Sequence, residues 1–74
     1  MLKEYIYNNN FQINIVNNYI NILNYIEIVS FSENKIIIKY SNGTLVINGS
    51  EMIISKLLSD ELLVKGNISN IEFR

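Results

Sequence analysis

Through most of the second half of the chain, apolar residues fall on every second position, and three glycines punctuate the pattern. Gly43, Leu45, Ile47 and Gly49 make the first stretch. Met52, Ile54 and Leu57 follow. Leu62, Val64, Gly66, Ile68, Ile71 and Phe73 complete the series. Successive side chains of a strand point to opposite faces, so this spacing predicts short β-strands with one buried face. Asn42, Gly43, Gly49 and Gly66 are the expected turn positions, because asparagine and glycine tolerate the backbone angles that tight turns need.

Seventy-four residues make one domain at most. A chain of this size buries only about 60% of the surface that its unfolded form exposes. Its total stability is roughly 4–11 kcal/mol at the usual per-residue figure. Small domains often add disulfides or metals to a limited core. With no Cys and no His, this chain has neither disulfides nor the common zinc ligands. A well-packed apolar core or self-association is left. The fifteen Ile favour strands, since a branched Cβ packs well on a pleated surface, and the absence of Ala removes the best helix former. The thirteen Asn read as the product of A/T-rich codons, which also encode Ile, Lys, Tyr and Phe.

Charge excludes more than it assigns. Six basic and seven acidic residues give a net charge of −1. No basic run marks a nucleic-acid or anionic-membrane surface. No apolar stretch reaches the roughly 18 residues of a membrane span, and the start of the chain lacks the pattern of a secretory signal.

Along the chain, residues 1–10 read as a loosely docked arm and residues 11–74 as the β domain. Phe11, Ile13 and Ile15 alternate with Gln12 and Asn14 as a half-buried strand. Asn17 and Asn18 fit a two-residue hairpin turn, and residues 19–25 return from it. Residues 26–31 continue as strand, with a bulge or a sheet-crossing bend where Ile28 and Val29 break the phase. Residues 32–34 turn into the apolar strand 35–40, and Asn42-Gly43 is the strongest hairpin signal. Residues 51–64 stay ambiguous on periodicity. Ile54, Leu57, Leu58 and Leu62 have helical spacing, but the same residues also read as strand 51–57, turn 58–60 and strand 61–65. The last strand, with Ile68, Ile71 and Phe73, changes phase near Ser69 and Asn70. A faint repeat relates residues 45–57 to 62–73; two units are too few for a solenoid.

Catalytic chemistry finds no foothold. A serine nucleophile needs a base, and no His supplies one. Thiol chemistry needs Cys. The acidic residues Glu27, Glu33, Glu51, Asp60, Glu61 and Glu72 are dispersed, so no metal site is expected. Paired carboxylates would need a cleft to gather them. Residues 41–44 lack the Lys-Ser/Thr of a phosphate loop. The tyrosines are not interleaved with basic residues as in single-strand binders, and fit core edges or interfaces instead. No catalytic, cofactor or metal residues are assigned.

The order of these strands resembles the YabP/YqfC family of sporulation proteins over residues 11–74. The resemblance is carried by Gly43-x-Leu45-x-Ile47-x-Gly49, by Met52, Ile54 and Leu57, and by the series from Leu62 through Val64, Gly66, Ile68 and Ile71 to Phe73. Tyr19, Ile22, Asn24 and Tyr25 resemble the family's upstream strand, and Ile28 and Phe31 its next one. The match is closer to the YqfC branch. Ile26-Glu27 departs from the basic and small residues that often follow the Asn-aromatic pair. The resemblance tips residues 51–64 toward strand. It implies a non-enzymatic component of forespore envelope or coat assembly in Firmicutes. Such a protein acts in the mother-cell cytoplasm or peripherally at the forespore membrane, with a membrane-embedded sporulation protein as a partner.

The expected fold is all-β: one small, mostly antiparallel sandwich or roll of about seven or eight short strands, with a short β-solenoid as the alternative. The expected activity is binding through a sheet edge, by Ile36, Ile38 and Tyr40 or by Ile68, Ile71 and Phe73, to a protein partner or a second copy. The competing reading is a β adaptor or ligand-binding domain unrelated to sporulation. Neither reading requires a cofactor, nucleic acid or a membrane span.

Overall fold

In the computed structural model, which describes residues 10–74, alternation becomes six strands. They are β1 (Gln12–Val16), β2 (Tyr19–Leu23), β3 (Glu27–Phe31), β4 (Lys35–Tyr40), β5 (Gly43–Leu57) and β6 (Glu61–Phe73). All pairings are antiparallel, in one sheet of order β1-β2-β6-β5-β4-β3. The expected arm at residues 1–10 falls almost wholly outside the described residues.

The all-β, antiparallel expectation holds, and the ambiguous stretch is strand, turn and strand, with β5 ending at Leu57 and β6 starting at Glu61. There are six strands rather than seven or eight because two expected turns are not turns. Gly49 lies inside β5 and Gly66 inside β6. The faint repeat is the two arms of one long hairpin, paired antiparallel with each other, and not two coils of a solenoid.

That hairpin is bent, and the bend builds the core. The β5–β6 register shifts three times: between Asn48 and Gly49, between Ser50 and Ile53, and between Ile54 and Lys56. The first shift leaves Ser69 of β6 as the extra residue, the second doubles Glu51 and Met52 against Gly66, and the third leaves Ser55 unpaired. Each bulge bends its strand, and the one at Ser69 brings Ile71 back to the inward phase against the core. The phase change between Ile68 and Ile71 is therefore the bulge at Ser69.

Glycine is required at this bend. A Cβ on Gly49 would meet the Asn67 carbonyl oxygen at 2.2 Å. Gly66 has φ of 152°, and a Cβ there would stand 2.7 Å from the Met52 Cα. The turn before β4 secures the bend from outside, since the Gly49 N–H donates to the Asn34 carbonyl at 3.1 Å and the Met52 N–H to the Glu33 carbonyl at 3.0 Å.

The bend divides the sheet. One half contains β1, β2, residues 61–65 of β6 and residues 53–57 of β5. The other contains β3, β4, residues 43–48 of β5 and residues 68–73 of β6. Their inner faces share one core. Ile20, Ile22, Leu62 and Val64 come from the first half, Ile36, Ile38, Leu45 and Ile47 from the second, and Met52 from the bend. Each of these nine side chains is essentially inaccessible to water. Three aromatic rings close one end. Phe11, leading into β1, stacks on Tyr40 of β4 with centroids 4.3 Å apart, and Phe73 of β6 meets Tyr40 edge-on at 6.0 Å. Phe11 thus ties the first half-sheet to the second.

Candidate interaction surface

A folded sheet that does not close into a barrel keeps edges, and an edge presents free backbone N–H and C=O groups. Among the described residues each half-sheet has two. They are β1 and residues 53–57 of β5 in the first half, and β3 and residues 68–73 of β6 in the second. Large exposed apolar side chains line them: Ile15 and Val16 on β1, Ile53 and Leu57 on β5, Val29 and Phe31 on β3, and Phe73 on β6.

The two expected edges fare differently. Ile36, Ile38 and Tyr40 belong to β4, which lies between β3 and β5. Ile36 and Ile38 are fully buried, and Tyr40 is half-buried in the aromatic cluster. The flanking lysines, Lys35 and Lys39, read as edge protection, but they mark a strand whose backbone is paired on both sides. Ile68, Ile71 and Phe73 do lie on an open edge. Ile68 and Ile71 are half-buried against the core and Phe73 is exposed. Of the expected turn residues, Asn42 sits in the β4–β5 turn and Gly43 opens β5.

Polar groups on this surface mostly hold the hairpins in place. The Tyr25 hydroxyl donates to the Leu58 carbonyl at 2.5 Å, linking the β2–β3 connection to the β5–β6 turn. Burial pushes the Tyr25 phenol above its ordinary value, and the Asp60 carboxylate raises it further. Glu61 accepts from the Asn21 side-chain amide at 3.0 Å and pairs with Lys56 at 3.6 Å. Lys65 lies over the Tyr19 ring at 5.6 Å. Asn48 donates to Asn70 across β5 and β6 at 2.9 Å.

The carboxylates do not converge. Glu27 is on edge strand β3, Glu72 is on β6 with two strands between them, and Glu51 is in the bend. No group of three acidic residues is placed to hold a cation among the described residues. An open depression lined by Asn18, Glu51, Ile53, Lys65, Gly66 and Asn67 carries one carboxylate and one amine. No helix among the described residues is long and apolar enough to cross a membrane.

The sequence that folds this way is matched by a family model. The YabP family model matches residues 8–74, nearly the whole chain. The chain belongs to the YabP family. Membership points to a sporulation-related protein, and the match does not separate the branches of the family. Among curated proteins, none matches the chain.

Sequence reasoning overlooked the β1 edge. The available signal was charge: from Tyr5 to Ile26 not one residue is charged. Every charge of the described residues lies in β3 and beyond, so the β1–β2 hairpin has none.

Proposed function

We propose that this YabP family member is a non-catalytic component of forespore envelope or coat assembly, acting in the mother cell by binding other proteins. The family match carries the sporulation part of this reading. The open edges support the binding part, because strand addition needs only free backbone groups and pockets for alternate side chains. Residues 68–73 of β6 are the edge offered to a partner. Phe73 and the half-buried Ile68 and Ile71 provide apolar contacts there. A membrane-embedded sporulation protein with a cytoplasmic strand is the partner this reading favours.

The position of a fluorescent fusion in the native host, followed from growth into sporulation, tests the proposal. Signal gathering on the mother-cell face of the forespore is the expected result. Diffuse signal that does not change when sporulation begins would overturn it, leaving an adaptor whose likeness to the family is one of fold.

A further inference from the structure

The four edges are not equally defended. Natural sheets blunt their edges with charges and bulges. β3 has Glu27 and a bulge between Ile28 and Ser30. Residues 53–57 of β5 have Lys56 and the bulge at Ser55. Residues 68–73 of β6 have Glu72 and the bulge at Ser69. β1 reads Gln-Ile-Asn-Ile-Val, with no charge and an unbroken register against β2 from Gln12–Leu23 to Val16–Tyr19. Its Ile15 and Val16 are 56% and 61% exposed.

The hydrogen-bond phase of β1 follows from its neighbours. The Gly66 N–H donates to the Asn18 carbonyl, and the Asn24 N–H to the Asp60 carbonyl. Even-numbered residues around β2 therefore bond toward β6. Tyr19, Asn21 and Leu23 then bond toward β1, where they face Val16, Asn14 and Gln12. Ile13 and Ile15 are left with N–H and C=O groups directed away from the sheet.

We infer that β1 is the site at which a second copy of this chain docks, with the two β1 strands antiparallel about a two-fold axis at Asn14. This register overlaps all five residues. It sets Ile13 against Ile15 of the other copy and joins their outward N–H and C=O groups. An antiparallel pair needs N–H and C=O groups of the same phase on both strands, and this register supplies them in both copies at once. The exposed Ile15 gains an apolar neighbour on the inner face. On the outer face Asn14 meets Asn14, and Gln12 meets Val16. A second copy fits because the edge carries no charge to repel its duplicate, and each half of the strand complements the other half. The result is a continuous twelve-stranded sheet. This inference rests on the fold alone and stands apart from the sporulation reading.

Asn14 is exposed, so its side chain can be changed without disturbing the core. Wild-type protein is expected to pass from 8.6 kDa to twice that mass with rising concentration in sedimentation equilibrium. Asn14→Lys and Asn14→Asp are each expected to stay monomeric, since like charges then meet on the axis, and their equimolar mixture to recover the dimer. A wild-type monomer at millimolar concentration would overturn the inference, as would charged variants that associate like wild type.

Disulfide trapping provides a second measurement should the charged variants not fold. The chain has no Cys, so one introduced thiol is unambiguous. Asn14→Cys places two thiols at a non-hydrogen-bonded pair with Cα atoms about 4.5 Å apart, within disulfide reach. Gln12→Cys places them about 14 Å apart, at ~3.4 Å per residue. Asn14→Cys is expected to cross-link at least tenfold faster. Equal rates, or no cross-linking of Asn14→Cys, would contradict the two-fold at Asn14.

Discussion

At the scale of single residues, the fold depends on a few backbone positions and a small core. Gly66 combines a φ that side chains rarely adopt with a 2.7 Å approach to the Met52 backbone. Gly66→Ala is therefore expected to destabilise by more than about 1 kcal/mol, the ordinary scale for Ala where φ is positive. Urea denaturation measures it. Ile36 lies in the core with no exposed surface. Ile36→Ala should cost about 2–5 kcal/mol, a large share of the roughly 4–11 kcal/mol available, and lower the denaturation midpoint accordingly. Tyr25 offers a test by pH. Its phenol is held above the ordinary value of 10.0, first by burial and then by Asp60. The unfolded chain releases that proton first, so this contribution to stability is intact below pH about 10 and lost as pH rises toward the folded value. Ultraviolet titration of the wild type against Tyr25→Phe isolates its ionisation, which should begin above the free-tyrosine value.

At the scale of elements, strands and turns were legible and bends were not. Alternation placed β1 and β2, an apolar run placed β4, and Asn17-Asn18 announced the first hairpin. The adjacent Ile28 and Val29 signalled a slip in phase, since neighbouring residues differ in face, and the structure resolves it as the β3 bulge between Ile28 and Ser30. Gly49 and Gly66 were misread as turns for a physical reason. A glycine signals that backbone comes close or φ is unusual, and a bulged bend needs both as much as a turn does. The edge assignment to β4 failed because flanking lysines report where charges lie, not how many neighbours a strand has. Neighbour count depends on long-range pairing, which a local pattern does not encode. The bend also carries Glu51 at φ of 54°, a left-handed conformation costly for any residue with a Cβ. Glu51→Gly is expected to raise stability by up to about 1 kcal/mol, the left-handed penalty less the extra entropy lost by glycine. A fall in the thermal midpoint would contradict the account of the bend.

At the scale of the whole molecule, one bent hairpin lets a single sheet cover its own inner face and leaves β1 as the least defended edge. Family membership was legible from the ordered spacing of glycines and apolar residues; the β1 edge became visible only when strand order and charge distribution were combined. Amide hydrogen exchange resolved by residue tests this most directly, in dilute and in concentrated protein. In dilute solution the account predicts slow exchange at Ile20, Ile22, Leu62 and Val64, whose backbones pair on the buried side of β2 and β6. It also predicts alternation along β1, with Asn14 and Val16 slower than Ile13 and Ile15. In concentrated solution Ile13 and Ile15 should slow as the second copy docks. Rapid exchange throughout β2 and β6 would contradict the bent sheet, and protection of Ile13 and Ile15 at every concentration would contradict an open β1 edge.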